Sequence, residues 1–189
     1  LGLRKGEILG LRWEDVDLAA ATMRITGSLQ RQRGRLERSA TKTDASVRTI
    51  ALPPMLLAML RKHRERQEQL RSVARRWTDS GLVFTSSVGT AIEPSDLSRE
   101  FKKVLKRAGL PENLRFHDLR HACATLLIVM GVHPRVVMEI LGHSQIGTTM
   151  NIYAHVLPRV QREAVTGLDA LFAGTDQMTD EPRSDESEP

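Results

Sequence analysis

The feature that most constrains this chain is a change of periodicity. Between Thr22 and Leu52 the residues alternate. Met23, Ile25 and Gly27 stand between polar neighbours, and Val47, Thr49 and Ala51 alternate with Arg48 and Ile50 before Leu52. Alternation of this kind marks strands with one covered face, and Gly34 supplies a turn, so two or three short antiparallel strands are expected here. After Pro53 the apolar residues recur instead at helical spacing. Together these patterns predict an α+β fold, mainly α-helical, with a small antiparallel β-sheet near the N-terminus.

The helical segments are well punctuated. The chain opens on Leu1-Gly2-Leu3-Arg4, which reads as the end of an element, as in a fragment. A short helix is expected from about Lys5 to Arg12, with Ile8 and Leu11 on one face and Glu7 one turn from Arg4, before Trp13 and the polar turn Glu14-Asp15-Val16-Asp17. Pro53-Pro54 opens a helix striped by Leu56, Leu57 and Leu60. Past Arg61 that helix is highly charged, and its face is expected to be solvated. Trp77 to Pro94 reads as a connection with an extended piece at Leu82-Val83-Phe84. A helix beginning near Pro94-Ser95 turns Leu97, Phe101, Val104 and Leu105 inward and stops at Gly109.

The last third carries the informative spacing. Leu119, Ala122, Cys123, Leu126, Leu127 and Met130 form an apolar stripe, which sets His117, Arg120 and His121 on the opposite, accessible face. Gly131 ends this helix and Pro134 opens another, packed by Val136, Val137, Ile140 and Leu141 and stopped by Gly142. His143 thus follows a C-cap glycine. Ser144 suits the N-cap of a helix carrying Tyr153, the only tyrosine of the chain. A final amphipathic helix is expected from about Pro158 to Phe172.

Charge narrows the function classes. The chain carries +5, but Gly174 to Pro189 holds six acidic residues and one arginine, so residues 1–173 carry +10. A basic domain with an acidic, disordered tail suggests a polyanionic partner, nucleic acid first. The stretch from Arg24 to Arg48, with seven basic and two acidic residues, is a candidate backbone-binding surface. No run approaches the roughly 20 apolar residues of a membrane span, and the N-terminus does not read as a signal peptide. The single cysteine, Cys123, is expected to be a buried thiol in a reducing compartment, consistent with a cytoplasmic protein.

Two chemistries could use His117-Asp118-Leu119-Arg120-His121. Histidines four apart can share zinc, with His143 as a third ligand, but Asp stands where zinc hydrolases of this pattern have Glu, and Arg120 sets a fixed positive charge beside a dication. The other chemistry is phosphate activation. Arginine forks suit phosphate oxygens and stay protonated, so Arg4 and Arg120 could clamp a phosphate and stabilise charge building in the transition state. His117 and His143 could bond the same phosphate or shuttle protons, and Lys42 could protonate the leaving alkoxide. Tyr153, a poor nucleophile unless cations gather around its target, would then attack, with no metal or other cofactor.

Five motifs in order resemble the catalytic domain of the tyrosine recombinases, the phage-integrase family. They are Gly2-Leu3-Arg4-Lys5-Gly6-Glu7 with Leu11-Arg12-Trp13-Glu14-Asp15-Val16-Asp17; Lys42-Thr43 before Val47-Arg48-Thr49-Ile50-Ala51-Leu52; His117-Asp118-Leu119-Arg120-His121; Leu141-Gly142-His143-Ser144; and Tyr153. The resemblance covers residues 1 to about 173 and implies a site-specific DNA recombinase. It makes Arg4 and Arg120 the phosphate-binding arginines and Lys42 the general acid on a β-hairpin. His117 and His143 take the two remaining active-site positions, Tyr153 forms a 3′-phosphotyrosyl link, and Glu7 supports the site. It implies double-stranded DNA as partner, a homotetramer on DNA in the full-length protein, and no need for ATP. Family members have a further helical domain and more helix before the Gly-Leu-Arg motif, so the resemblance implies an N-terminally truncated catalytic domain that binds DNA weakly. A non-catalytic DNA-binding relic and a type IB topoisomerase remain as alternatives. The final helix could dock on a neighbouring protomer or on its own domain.

Overall fold

The computed structural model describes residues 1–40 and 47–142, with the single positions Gly147, Met150, Ala154 and Val165. Lys42, His143 and Tyr153 lie outside the described residues, as do the acidic tail and all of the final helix except Val165.

The order of elements is α1 (Lys5–Leu9), a 3-10 turn (Trp13–Asp15), β1 (Val16–Asp17), β2 (Thr22–Ile25), β3 (Gly27–Gln32), β4 (Arg35–Ala40), β5 (Arg48–Ala51), α2 (Pro54–Val73), α3 (Pro94–Arg107), α4 (Asp118–Val129) and α5 (Pro134–Leu141). The first helix is shorter than its pattern suggests. It stops at the Gly10 cap, and Leu11, 6% exposed, leaves the helix to join the core.

The strands form two antiparallel units, β1-β2-β5 and the hairpin β3-β4. Both residues of the hairpin turn, Arg33 and Gly34, have positive φ. That backbone suits the twist of a two-residue hairpin, and glycine takes it without strain. Met23 pairs with Ile50, and Ile25 with Arg48. The inward face of β5 is therefore Arg48 and Ile50, continued by Leu52, while Thr49 and Ala51 face out. Met23, Ile25, Ile50 and Leu52 pack with Leu11, Val16, Leu60 and Val83 into one core. Polar bonds fasten its rim, where Trp13 Nε1 donates to Gln67 at 2.6 Å and Gln67 Nε2 donates to the Val83 carbonyl at 3.1 Å.

A second cluster joins α4 to α5 through Ala124, Ile128, Val137 and Leu141. Here the expected stripe is corrected. The buried face of α4 is Arg120, Ala124 and Ile128, and Leu119, Leu126 and Met130 are 50%, 62% and 76% exposed. Ala124 has no side chain beyond Cβ to hold the helices apart, so the contact line runs through Ala124 and Ile128 rather than through Leu119 and Leu126. Arg120 can share that line because its N–H groups find carbonyl partners. In the same way Val104 points out of α3, leaving Leu105 as its buried anchor, and Cys123 is only half-buried.

The corrected face can be tested by substitution. Ala124→Leu overpacks the α4–α5 contact and should cost about 1–3 kcal/mol, read as a lower urea midpoint. Leu126→Ala, on the exposed side, should stay within about 0.5 kcal/mol. The reverse order would return the buried face to the leucine stripe.

Candidate active site

The site is built on the C-terminal end of α5. The last carbonyls of an α-helix lack partners within it and carry the negative end of its dipole. Gly142 ends α5 with φ 66°, a left-handed cap that glycine adopts readily. Three consecutive carbonyls at this end each accept from a different arginine. Arg48 Nε donates to Ile140 O at 2.9 Å. Arg120 Nη2 donates to Leu141 O at 2.5 Å. Arg4 Nη2 donates to Gly142 O at 3.0 Å. The three arginines come from β5, α4 and the N-cap of α1, so this helix end gathers distant parts of the chain.

Glu7 is the counter-charge. It is 3% exposed, and its carboxylate accepts from the Arg4 backbone N–H and Arg4 Nη1, each at 2.9 Å. Arg48 grips both oxygens, Nη1 to Oε1 at 3.2 Å and Nη2 to Oε2 at 2.9 Å. Burial raises the Glu7 pKa, but the bonds and charges of Arg48 and then Arg4 outweigh it and hold the carboxyl below its ordinary 4.5. Arg120 also donates Nη1 to Gly2 O at 2.7 Å. Burial, and then the charge of Arg4, push the Arg120 pKa down to about 10, so it stays cationic at neutral pH.

His117 sits at the N-cap of α4, its ring edge-on to His121 with centroids 5.1 Å apart. Partial burial, then the charges of His121, Arg120, Arg115 and Arg4, hold His117 below its ordinary 6.5. It is therefore neutral at pH 7 and able to accept a proton.

Of the residues singled out in the sequence, Arg4, Glu7, His117 and Arg120 come together. Arg4 lies close enough for its charge to act on both Arg120 and His117. Arg120 is placed differently from expectation. It is 3% exposed on the packed face of α4, whereas the Arg4 side chain is 43% exposed. Lys42, His143 and Tyr153 are outside the described residues, though His143 is the next residue after Gly142 in the chain. The sequence reading missed Arg48. Its signal was a cation in register with Ile50 and Leu52 on an apolar strand face, which demands a buried partner. The broad basic surface expected from Arg24 to Arg48 is thinner than its charge suggests. Arg48 turns inward, and Arg38 bonds to Gly10 O at 2.7 Å and Thr26 Oγ1 at 2.6 Å, leaving Arg24, Arg31, Arg33 and Arg35 exposed.

Glu7 and His117 both have folded-state pKa values below their ordinary ones. Each therefore binds fewer protons folded than unfolded, and each contributes stability that is present above its ordinary pKa and lost as pH falls. The unfolding free energy in urea should fall as pH drops below 6.5 through His117, and again below 4.5 through Glu7. His117→Gln should remove the first decline and Glu7→Gln the second. At pH 7 Glu7→Gln should itself cost about 3 kcal/mol or more, because Arg48 loses its buried counter-charge. A pH-independent stability would contradict the assignment.

Known proteins agree with this architecture. The model of the phage integrase family matches residues 1–159. A tyrosine recombinase XerC-like protein of Caldanaerobacter subterraneus is 40% identical over 184 residues, 90% of this chain and 47% of that protein. The ICEBs1 integrase of Bacillus subtilis is 32% identical over 172 residues, 90% of this chain and 46% of that protein. The chain thus spans about half the length of these relatives. The solved structure of the Tn1549 transposon integrase in complex with transposon right end DNA aligns with a TM-score of 0.76 at 25% identity, over 89% of this chain and 55% of that one. The XerA recombinase aligns with a TM-score of 0.66 at 26% identity, over 88% and 53%. The chain belongs to the phage integrase family, the tyrosine recombinases.

Proposed function

We propose that residues 1–173 are the catalytic domain of a site-specific DNA recombinase that cleaves and rejoins strands through a 3′-phosphotyrosyl intermediate at Tyr153. The observation that carries this reading is the setting of Arg4 and Arg120 on the adjacent carbonyls of Gly142 and Leu141. Two arginines anchored side by side on one helix end suit the two non-bridging oxygens of one phosphodiester. The solved structure of the Tn1549 transposon integrase with transposon right end DNA supports DNA as the substrate, taken here to be a duplex.

In this reading Tyr153 Oη attacks the scissile phosphorus while its proton passes to a histidine, and His117, neutral at pH 7, is suited to receive it. The new bond joins tyrosine oxygen to phosphorus. The bond that breaks is the one to the 5′ oxygen, which leaves with a proton from Lys42. Charge on the phosphoryl oxygens grows in the transition state, where Arg4 and Arg120 already hold their positions. His143 bonds the same phosphate, and Glu7 keeps Arg4 in place. Because the phosphotyrosine conserves the bond energy, a 5′-hydroxyl reverses the step without ATP. Strand exchange between two sites calls for a homotetramer on DNA in the full-length protein.

The test is a nicked duplex whose cleaved fragment diffuses away, incubated with the chain and resolved on a denaturing gel. A covalent adduct is expected, abolished by Tyr153→Phe and indifferent to chelator. Binding without an adduct, from both this chain and a longer form, would instead make it a DNA-binding relic.

A further inference from the structure

We propose that Arg48 is a positioning residue for strand cleavage, holding Glu7 and the end of α5 so that Arg4 and Arg120 meet the phosphate in register. The inference rests on the recombinase reading above. The motif resemblance gives Arg48 no role, and among the described residues its bonds run to Glu7 and to Ile140 O.

Its geometry is that of a three-way clamp. The side chain is 7% exposed and reaches from β5 to α1 through Glu7 and to α5 through Ile140 O. Both oxygens of Glu7 lie against its guanidinium. Glu7 also touches Arg4, and a buried carboxylate with Arg4 as its sole counter-ion would draw that guanidinium fully onto itself. By meeting the charge of Glu7, Arg48 leaves Arg4, with its 43% exposed side chain, held by single bonds from Nη1 and Nη2. Arg4 then keeps cationic character toward an incoming phosphate.

The second contact is with the cap. A Cβ placed on Gly142 would lie 2.6 Å from Arg48 Nη1 and 2.8 Å from its Cζ. The guanidinium thus fills the space that a side chain at residue 142 would occupy, directly before His143. Arg48 thereby fixes the backbone whose carbonyls orient Arg4 and Arg120. A lysine could supply charge but not a fork plus a third donor on one rigid plane.

The test compares the parent chain with Arg48→Lys, Glu7→Gln and the double variant on the nicked duplex at saturating DNA. Three quantities are measured: the single-turnover rate constant for adduct formation, the fraction of protein that reacts, and DNA affinity. Arg48→Lys should slow the rate constant by roughly tenfold to a hundredfold, the scale of a small misplacement of reacting groups. Reacting fraction and DNA affinity should hold at parental values. The double variant should be slowed by less than the product of the single effects, because Arg48 acts in part through Glu7. A parental rate constant in Arg48→Lys overturns the inference. So does a loss confined to reacting fraction and thermal stability, which marks a merely structural residue, and so do effects that multiply. An adduct absent from the parent chain and from a longer form overturns the recombinase reading and this inference together, and it is told apart because every variant is equally silent.

Discussion

The structure depends on the carbonyl end of one eight-residue helix. Ile140, Leu141 and Gly142 present successive oxygens, and Arg48, Arg120 and Arg4 each take one. Helix ends are usually finished by water or by the next residues of the chain. Here the finishing groups come from a strand, another helix and the N-terminal segment. One local need, satisfying orphan acceptors at the negative end of a dipole, therefore holds together elements far apart in sequence.

The same arrangement sets the electrostatics. Three guanidinium groups repel one another, and burial alone would make Arg120 costly. The helix carbonyls and one buried carboxylate, Glu7, offset that cost without cancelling it. Burial first, and the neighbouring positive charges after it, depress the pKa of Arg120, to about 10, and of His117. A cluster of three arginines and one glutamate keeps an excess of positive charge, which suits the phosphodiester of the proposed reaction. Fixed dipoles and charges of this kind need no reorganisation at the moment of reaction.

Much of this was legible in the sequence. The alternation around Met23 and Ile25, the Gly34 turn, the proline starts at Pro54, Pro94 and Pro134, and the Gly142 stop are local signals, and local structure follows them. The motif residues Arg4, Glu7, His117 and Arg120 do converge. What the sequence misread was the side of α4 that is covered. On and just after α4 the large residues Leu119, Leu126 and Met130 suggest the covered face, yet Ala124, Ile128 and a carbonyl-bonded Arg120 form it. Periodicity counts apolar bulk. It cannot see that a helix end elsewhere will satisfy an arginine, because that depends on tertiary contact. Arg48 was hidden for the same reason, since its partners Glu7 and Ile140 lie far from it in sequence.

The central claim is that the α5 carbonyl end immobilises these arginines. Guanidinium NMR of the chain at neutral pH tests it most directly, because hindered rotation about the Cζ–N bonds and slow hydrogen exchange report a held guanidinium. The account predicts slowly exchanging, resolved Nη signals for Arg48 and Arg120, which are nearly out of solvent, with both averaging toward the free-arginine pattern in Gly142→Ala. Rapidly averaged signals from both arginines in the parent chain would contradict it.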